Sequence, residues 1–322
     1  MTKIDGDGVL PTPPLPEIHL SKHNHADSET ISRIIEAMKL SGACIVRNMF
    51  SSASVQQVQK DIKSHIAAAG NYGDGTESTS VVTALLSKSD EYATHMLHHP
   101  AFHGVINHFL TENIGPCQVT RGQQASVTIP PQIDSTVAAV VHPGGEPHNL
   151  HRDDVDRFNV QPFVPKYEMG RDTNVAMLTA LDATTRANGA TRVLPGSHLW
   201  DYNTLMPLPD DERLVDAILN PGDSLLLLGC TLHGAGANTT DASRAITACF
   251  VTRGRLRQME NQYLAHDLDK VRQFPLWLKR LMGFSVIAPA CGWIDKTDPL
   301  RKIDPHAGEF IDIWDPSAMK FH

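Results

Sequence analysis

The sequence predicts a mainly β protein with flanking helices and a double-stranded β-helix, or jelly roll, as its core. Three observations carry that prediction. From about Gln118 onward, short β-branched and apolar runs succeed one another: CQVTRGQQASVTI, TVAAVVHPG, TNVAMLTALD, TRVLPGSH, SLLLLG and AITACFVTR. Gly, Pro and Asn turns separate them, as in a barrel or sandwich. Upstream, two stretches repeat with helical period instead. Finally, HNLHRDDVDRF and the later LLLLGCTLHGAGANTT offer metal-ligating residue types at strand positions, which a jelly roll gathers inside one mouth.

Taken in order, residues 1–20, with VLPTPPLPE, read as a Pro-rich extended arm. Glu29 to Leu40 is apolar at Ile31, Ile34, Ile35 and Met38, the i, i+3, i+4, i+7 pattern of an amphipathic helix that Gly42 would end. ACIVRNMF reads as a strand, and SSASVQQVQKDIKSHIAAA as a second helix opened by a serine cap. In HMLHHPAFHGVINHFL the apolar residues suggest a helix interrupted near Pro100, with His95, His98, His99, His103 and His108 on its wetter side. No carboxylate or cysteine partners those histidines at ligand spacing, so they read as surface or second-layer residues. Asn188-Gly189, Pro195-Gly196 and Pro221-Gly222-Asp223 supply turns, with Ser197-His198 bracing a loop. No internal repeat or linker divides residues 21–322. They read as one domain: a helical support layer at about 21–115, a jelly-roll core at about 116–256 and a C-terminal helical or lid segment at about 257–322.

Bulk properties narrow the function. A chain of 322 residues with 41% hydrophobic content can build a substantial core, and its net charge of -8 has the wrong sign for a nucleic-acid or anionic-membrane partner. A small-molecule partner fits better. Neither a signal peptide nor a membrane span is expected, which implies a cytoplasmic protein. Cys44, Cys117, Cys230, Cys249 and Cys291 form no CxxC pair and are odd in number, so most read as small core fillers rather than a disulfide framework.

The candidate chemistry lies in four residues. His151 and Asp153 are two apart, so on an extended strand both side chains leave one face. His233 follows a strongly apolar run that reads as a buried strand and could supply a third ligand. Two imidazoles and one carboxylate form a facial triad, best attested for non-haem Fe(II) with positions left open. Asp154 and Asp156 crowd the motif, but Asp154 would face the opposite side of a strand and Asp156 lies beyond the expected turn, so Asp153 is the expected ligand. Arg244, eleven residues after His233, offers a permanently charged fork for a carboxylate. Cys230 lies close by in sequence, but one thiolate does not make a zinc site.

The ordered set of HRD, NGATRVLPGSH and LHGAGANTT with an Arg eleven residues past the His resembles the phytanoyl-CoA dioxygenase-like branch of the Fe(II)/2-oxoglutarate oxygenases, and within it the fungal natural-product tailoring enzymes. The resemblance runs from about Ser41 to about Leu300. It implies a cupin-like jelly roll, iron held by His151, Asp153 and His233, and 2-oxoglutarate chelating the iron with its distal carboxylate on Arg244. It also implies Thr191 as a 2-oxoglutarate contact, and His148 where related fungal enzymes often carry a Gln, an imidazole being able to donate the same hydrogen bond. Oxygen would be the second cosubstrate, with ascorbate sustaining activity and succinate and carbon dioxide as coproducts. The carboxylate at Asp153 favours oxygenation or desaturation over halogenation. The substrate would be a terpenoid, alkaloid or amino-acid- or peptide-derived intermediate of secondary metabolism, undergoing hydroxylation, desaturation, rearrangement or endoperoxidation. The segment SVIAPACGWIDKTDPL resembles a lobe that covers the active site or reaches a partner subunit, which implies a homodimer and puts Trp293 near substrate. Two other classes stay open: a cupin-like zinc hydrolase or isomerase, in which Arg244 would lack a role, and a ligand-binding jelly roll without catalysis.

Overall fold

The first helix, α1 (Ser28–Ser41), forms where the apolar spacing predicts it. In the computed structural model, which describes residues 11–20, 26–69, 78–287, 290–311 and 319–321, Asp27 Oδ1 caps this helix by accepting from Thr30 N at 2.8 Å. Ile34, Ile35 and Met38 turn inward. Gly42 ends the helix with φ 79°, and a Cβ there would lie 2.3 Å from Thr231 Oγ1 and 2.8 Å from His198 Nδ1. Only glycine accepts both the left-handed backbone and that close approach. The helix end is thereby pressed against the turn that leads to His233.

Residues 1–10 of the expected arm lie outside the described residues. Its continuation packs on the sheet: β1 (Glu17–His19) pairs in parallel with β2 (Ala43–Arg47), and Ser41 Oγ donates to Pro14 O at 2.8 Å. After β2 come α2 (Ser52–Ala68), capped by Ser51 accepting from Ser54 N, then β3 (Thr79–Thr83), a π-helical turn at Glu91–Met96 and α3 (Pro100–Leu110). The run CQVTRGQQASVTI is not one strand but parts of two, β4 (Glu112–Thr120) and β5 (Gln123–Ile129), which form a hairpin because Gly122 adopts φ 79° at its tip. The remaining strands are β6 (Pro131–Val141), β7 (Asn174–Ala180), β8 (Thr191–Val193), β9 (Val215–Asp216), β10 (Ser224–Leu228), β11 (His233–Ala235) and β12 (Arg244–Arg253). Short helices α4 (Gln262–Ala265), α5 (Leu268–Gln273), α6 (Leu276–Leu281) and α7 (Leu300–Ile303) follow, and β13 (Met319–Phe321) pairs with β5.

The main sheet runs β1-β2-β10-β7-β12-β6-β3, and a small sheet, β11-β8-β9, faces it. Together they form the expected jelly roll with helices on its outer side. Alternation along β12 explains the layering: Ala245, Cys249 and Val251 pack outward with Ile34, Met38 and Phe102, whereas Ile246 and Ala248 pack inward with Leu178, Leu225 and Leu227. β10, with the sequence SLLLL, is buried on both faces, and each leucine so removed from water contributes about 1.5–3 kcal/mol. It is an inner strand, between β2 and β7. Cys44, Cys230 and Cys249 are buried as expected of fillers, but Cys117 and Cys291 are exposed, and all five are free thiols. Among the described residues no helix is long and apolar enough to cross a membrane.

Candidate metal centre

The site is assembled across the chain by one isolated pair of backbone hydrogen bonds. His151 N donates to His233 O at 2.9 Å and His233 N donates to His151 O at 3.0 Å. This bridge extends the small sheet by one residue and brings the two imidazoles to a centroid separation of 4.4 Å. Asp153 is not on a strand, as the two-residue spacing suggested, but opens a 3-10 turn over Asp153–Arg157. The turn still returns its carboxylate to the same side: Asp153 Oδ1 lies 3.5 Å from His151 Nε2 and 3.6 Å from His233 Nε2. Among the described residues, these three form the group able to hold a metal ion, with ligand atoms within 4.8 Å of one another.

Both imidazoles are prepared as ligands. His151 Nδ1 lies 2.9 Å from Asn149 O and His233 Nδ1 lies 3.0 Å from Thr231 O. A carbonyl only accepts, so each Nδ1 carries the proton and each Nε2 presents its lone pair to the Asp153 side. Burial lowers the pKa of His233, against the pull of Asp153 and with a push from His151, which favours the neutral, ligating form. The donor chemistry of two neutral imidazoles and a carboxylate on one side fits a divalent iron with open positions.

The neighbouring carboxylates are disposed otherwise. Asp154 is wholly buried and outside the metal-holding group, and its Oδ2 accepts from Tyr202 OH at 2.6 Å and from Asn159 Nδ2 at 2.9 Å. Burial pushes its pKa up to about 6. The Asp156 side chain lies outside the described residues. Arg152, also buried, donates from Nε to Cys230 O at 3.0 Å and stacks its guanidinium 4.4 Å over the Tyr202 ring. The Cys230 thiol points to Asp172 Oδ1, 3.2 Å away, and is not in the metal-holding group. This buried polar layer clamps the turn that carries Asp153.

A cavity of about 340 Å³ opens beside the triad. Asp153, Arg244, Thr191 and His148 all line it. Arg244 begins β12, is 1% exposed, and donates to the carbonyls of Asn188 and Gly189. The Asn-Gly turn therefore orients the guanidinium rather than merely closing a loop. Among the described residues no carboxylate lies within 4.0 Å of it, and burial lowers its pKa to about 10 against the pull of Asp182. A buried guanidinium with no counterion is an anion site. Thr191 begins β8, opposite Ala235 of β11. His148 is an exposed residue of the lining whose ring lies 4.6 Å from that of His151, tilted at 60° to it.

Other residues singled out in the sequence lie apart. His98 stacks on Trp277 at 4.6 Å with His103 edge-on to the same ring, His95 meets Glu91, and His99 caps α3 by accepting from Ala101 N. Trp293 is 47% exposed and does not line the cavity; residues 288–289 of its segment lie outside the described residues. Sequence reading missed Asp134, Ser135, Asn174, Phe250 and Met259, which line the cavity. The sole local signal was a charged residue, Asp134, within an apolar strand.

His198 is a brace: Nε2 donates to Lys39 O at 3.0 Å and burial lowers its pKa to about 4. It is neutral in the fold, whereas in the unfolded chain it takes up a proton near pH 6.5. Its contribution is therefore complete above pH 6.5 and lost as pH falls through 4, by an amount on the order of 3 kcal/mol. Melting temperatures between pH 7 and pH 4 should fall more steeply for the parent than for His198→Asn, with His266, also lowered to about 4, leaving a residual slope.

The sequence profile described as phytanoyl-CoA dioxygenase (PhyH) matches residues 38–246. The chain belongs to the phytanoyl-CoA dioxygenase family. Among its relatives are "Dioxygenase cnsJ" of Penicillium expansum, 40% identical over 90% of this chain and 87% of that one, and "Dioxygenase himG" of Aspergillus japonicus, 35% identical over 92% and 96%. The fold is similar to that of SnoN, a non-heme alpha-ketoglutarate-dependent epimerase from nogalamycin biosynthesis, with a TM-score of 0.53, 18% identity and coverage of 71% of this chain and 82% of SnoN. Membership in the phytanoyl-CoA dioxygenase family makes the chain an enzyme of the dioxygenase class, and the iron and 2-oxoglutarate expected from HRD and LHGAGANTT agree with it.

Proposed function

We propose that this chain is an Fe(II)/2-oxoglutarate-dependent dioxygenase acting on a small-molecule intermediate of secondary metabolism, with His151, Asp153 and His233 as iron ligands and Arg244 as the anchor of the distal carboxylate of 2-oxoglutarate. One observation carries the reading: Asp153, whose carboxylate converges with the two imidazoles, lines the same cavity as the buried Arg244 guanidinium, which among the described residues has no carboxylate within 4.0 Å. When bound, iron supplies dioxygen activation coupled to decarboxylation of 2-oxoglutarate, with succinate and carbon dioxide as coproducts. The residues of the chain bind, orient and exclude water. Arg244 neutralises and fixes the far end of the cosubstrate, Thr191 offers a hydroxyl to the same molecule, and His148 offers an imidazole at the edge of the cavity. Val137, Ala139, Ile246 and Phe250 give the cavity an apolar wall that keeps the reacting C–H bond dry.

The relatives' names support the substrate range. SnoN is described in complex with Fe3+, alpha ketoglutarate and nogalamycin RO, and cnsJ and himG are fungal dioxygenases. For this chain, terpenoid, alkaloid and amino-acid- or peptide-derived scaffolds fit, and Asp153 in the triad favours oxygenation, desaturation, rearrangement or endoperoxidation. The same reading treats residues 21–322 as one catalytic unit, takes a homodimer as the assembly and assigns the protein to the cytoplasm.

The test is direct. Anaerobically purified protein given Fe(II) and 2-oxoglutarate should develop the metal-to-ligand charge-transfer band of the bidentate complex, and with oxygen and ascorbate it should release succinate slowly even without substrate. Failure of the band to form, together with tight Zn(II) binding, would replace the oxygenase by a zinc hydrolase or isomerase.

A further inference from the structure

The cavity has a second polar end that neither the triad nor Arg244 uses. Asp134 stands in β6 where the register against β12 slips: Phe250 lies opposite Ser135, but Val251 lies opposite Ile133. Asp134 is thus the extra residue of a β-bulge, a feature that re-aims a side chain next to a site. It is wholly buried and lines the cavity with Asn174, the first residue of β7, which is 1% exposed. Asp134 Oδ1 accepts from Met259 N at 2.8 Å, and Asn174 Nδ2 donates to Asp134 Oδ2 at 3.4 Å. That contact sets the orientation of the Asn174 amide, because its nitrogen must face the carboxylate. Among the described residues, Asn174 Oδ1 is then left buried with no hydrogen-bond partner. A buried carbonyl oxygen without a donor costs about 1–3 kcal/mol, a cost that a ligand donor would relieve.

We propose that Asn174 Oδ1 and the Asp134 carboxylate form a subsite that binds the basic nitrogen of an otherwise apolar substrate. The inference rests on the oxygenase reading, which commits Asp153 to iron and Arg244 to 2-oxoglutarate. With these committed, the charged residues left on the described lining are Asp134 and Glu146, both acidic, alongside the imidazole of His148. Phe250, Met259 and Ser135 surround the same end and supply apolar contact and a hydroxyl. An anionic substrate would meet the Asp134 carboxylate there, and a neutral hydrocarbon would leave Asn174 Oδ1 bare. A protonated amine satisfies the acceptor and is drawn by Asp134.

The test uses three probes of one shape, 2-naphthylmethylamine, 2-naphthylmethanol and 2-naphthoate, titrated calorimetrically into anaerobic Fe(II) protein saturated with 2-oxoglutarate. The amine should bind at least about tenfold more tightly than the alcohol and more tightly still than the carboxylate, a factor of ten corresponding to about 1.4 kcal/mol. Asp134→Asn, which can still accept from Met259 N, and Asn174→Leu should each reduce the amine-to-alcohol ratio towards one without abolishing the charge-transfer band. Equal affinities, a preference for the carboxylate, no measurable binding of the amine, or an unchanged ratio in both variants would overturn the proposal. Absence of the charge-transfer band before any probe is added would instead remove the oxygenase reading, so the two failures are distinguishable.

Discussion

Alanine at His233 is expected to remove iron binding and all succinate formation while the protein stays folded. His233 supplies one of three ligand atoms, and its tautomer is set by Thr231 O at 3.0 Å. Loss of an outer partner to a metal ligand typically costs 10–100-fold in affinity, so loss of the ligand itself should exceed about 100-fold. The backbone bridge to His151 does not need the side chain, so the small sheet persists. Iron content after desalting and the circular dichroism spectrum are the paired measurements. An apoprotein with native spectrum supports the assignment, whereas retained iron with full succinate release would exclude His233 as a ligand.

Methionine at Arg244 should separate cosubstrate binding from metal binding. The guanidinium is wholly buried, held by Asn188 and Gly189 carbonyls, and has no carboxylate within 4.0 Å among the described residues. Truncating one partner of a buried charged pair costs about 2–5 kcal/mol, so the dissociation constant for 2-oxoglutarate should rise about 30-fold to several thousand-fold while iron content is unchanged. The sign of the stability change is equally informative. Without cosubstrate the parent holds a buried charge that the pull of Asp182 offsets only in part, and a methionine of similar length removes that burden, so the melting temperature should hold or rise. A large fall in melting temperature with unaltered 2-oxoglutarate affinity would make Arg244 a structural tie to the Asn188-Gly189 turn instead.

α1 and β10 were readable because their signals are local: Ile34, Ile35 and Met38 at helical spacing, and four leucines in one run. Asp153 shows where locality fails. The H-x-D spacing argued for a strand, and the fold supplies a 3-10 turn that still brings the carboxylate to the two imidazoles. The division of CQVTRGQQASVTI between two strands was missed because a single glycine with positive φ decides it. Asp134 and Asn174 could not have been paired from the sequence, since the bulge that aims Asp134 exists only in the register between β6 and β12.

By itself the sequence determined the jelly-roll class, the helical layer and the four residue types that a metal and an anionic cosubstrate would need, because periodicity, turn residues and ligand spacing are properties of neighbouring residues. The tertiary structure alone decided that His151 and His233 share a backbone bridge, that Arg244 is buried with no carboxylate within 4.0 Å among the described residues, and that Asn174, with a buried side-chain carbonyl lacking a donor among those residues, lines the same cavity. Each of these depends on strand pairing and burial between segments far apart in the chain. Hydrogen-bond satisfaction and desolvation are settled only when those segments meet.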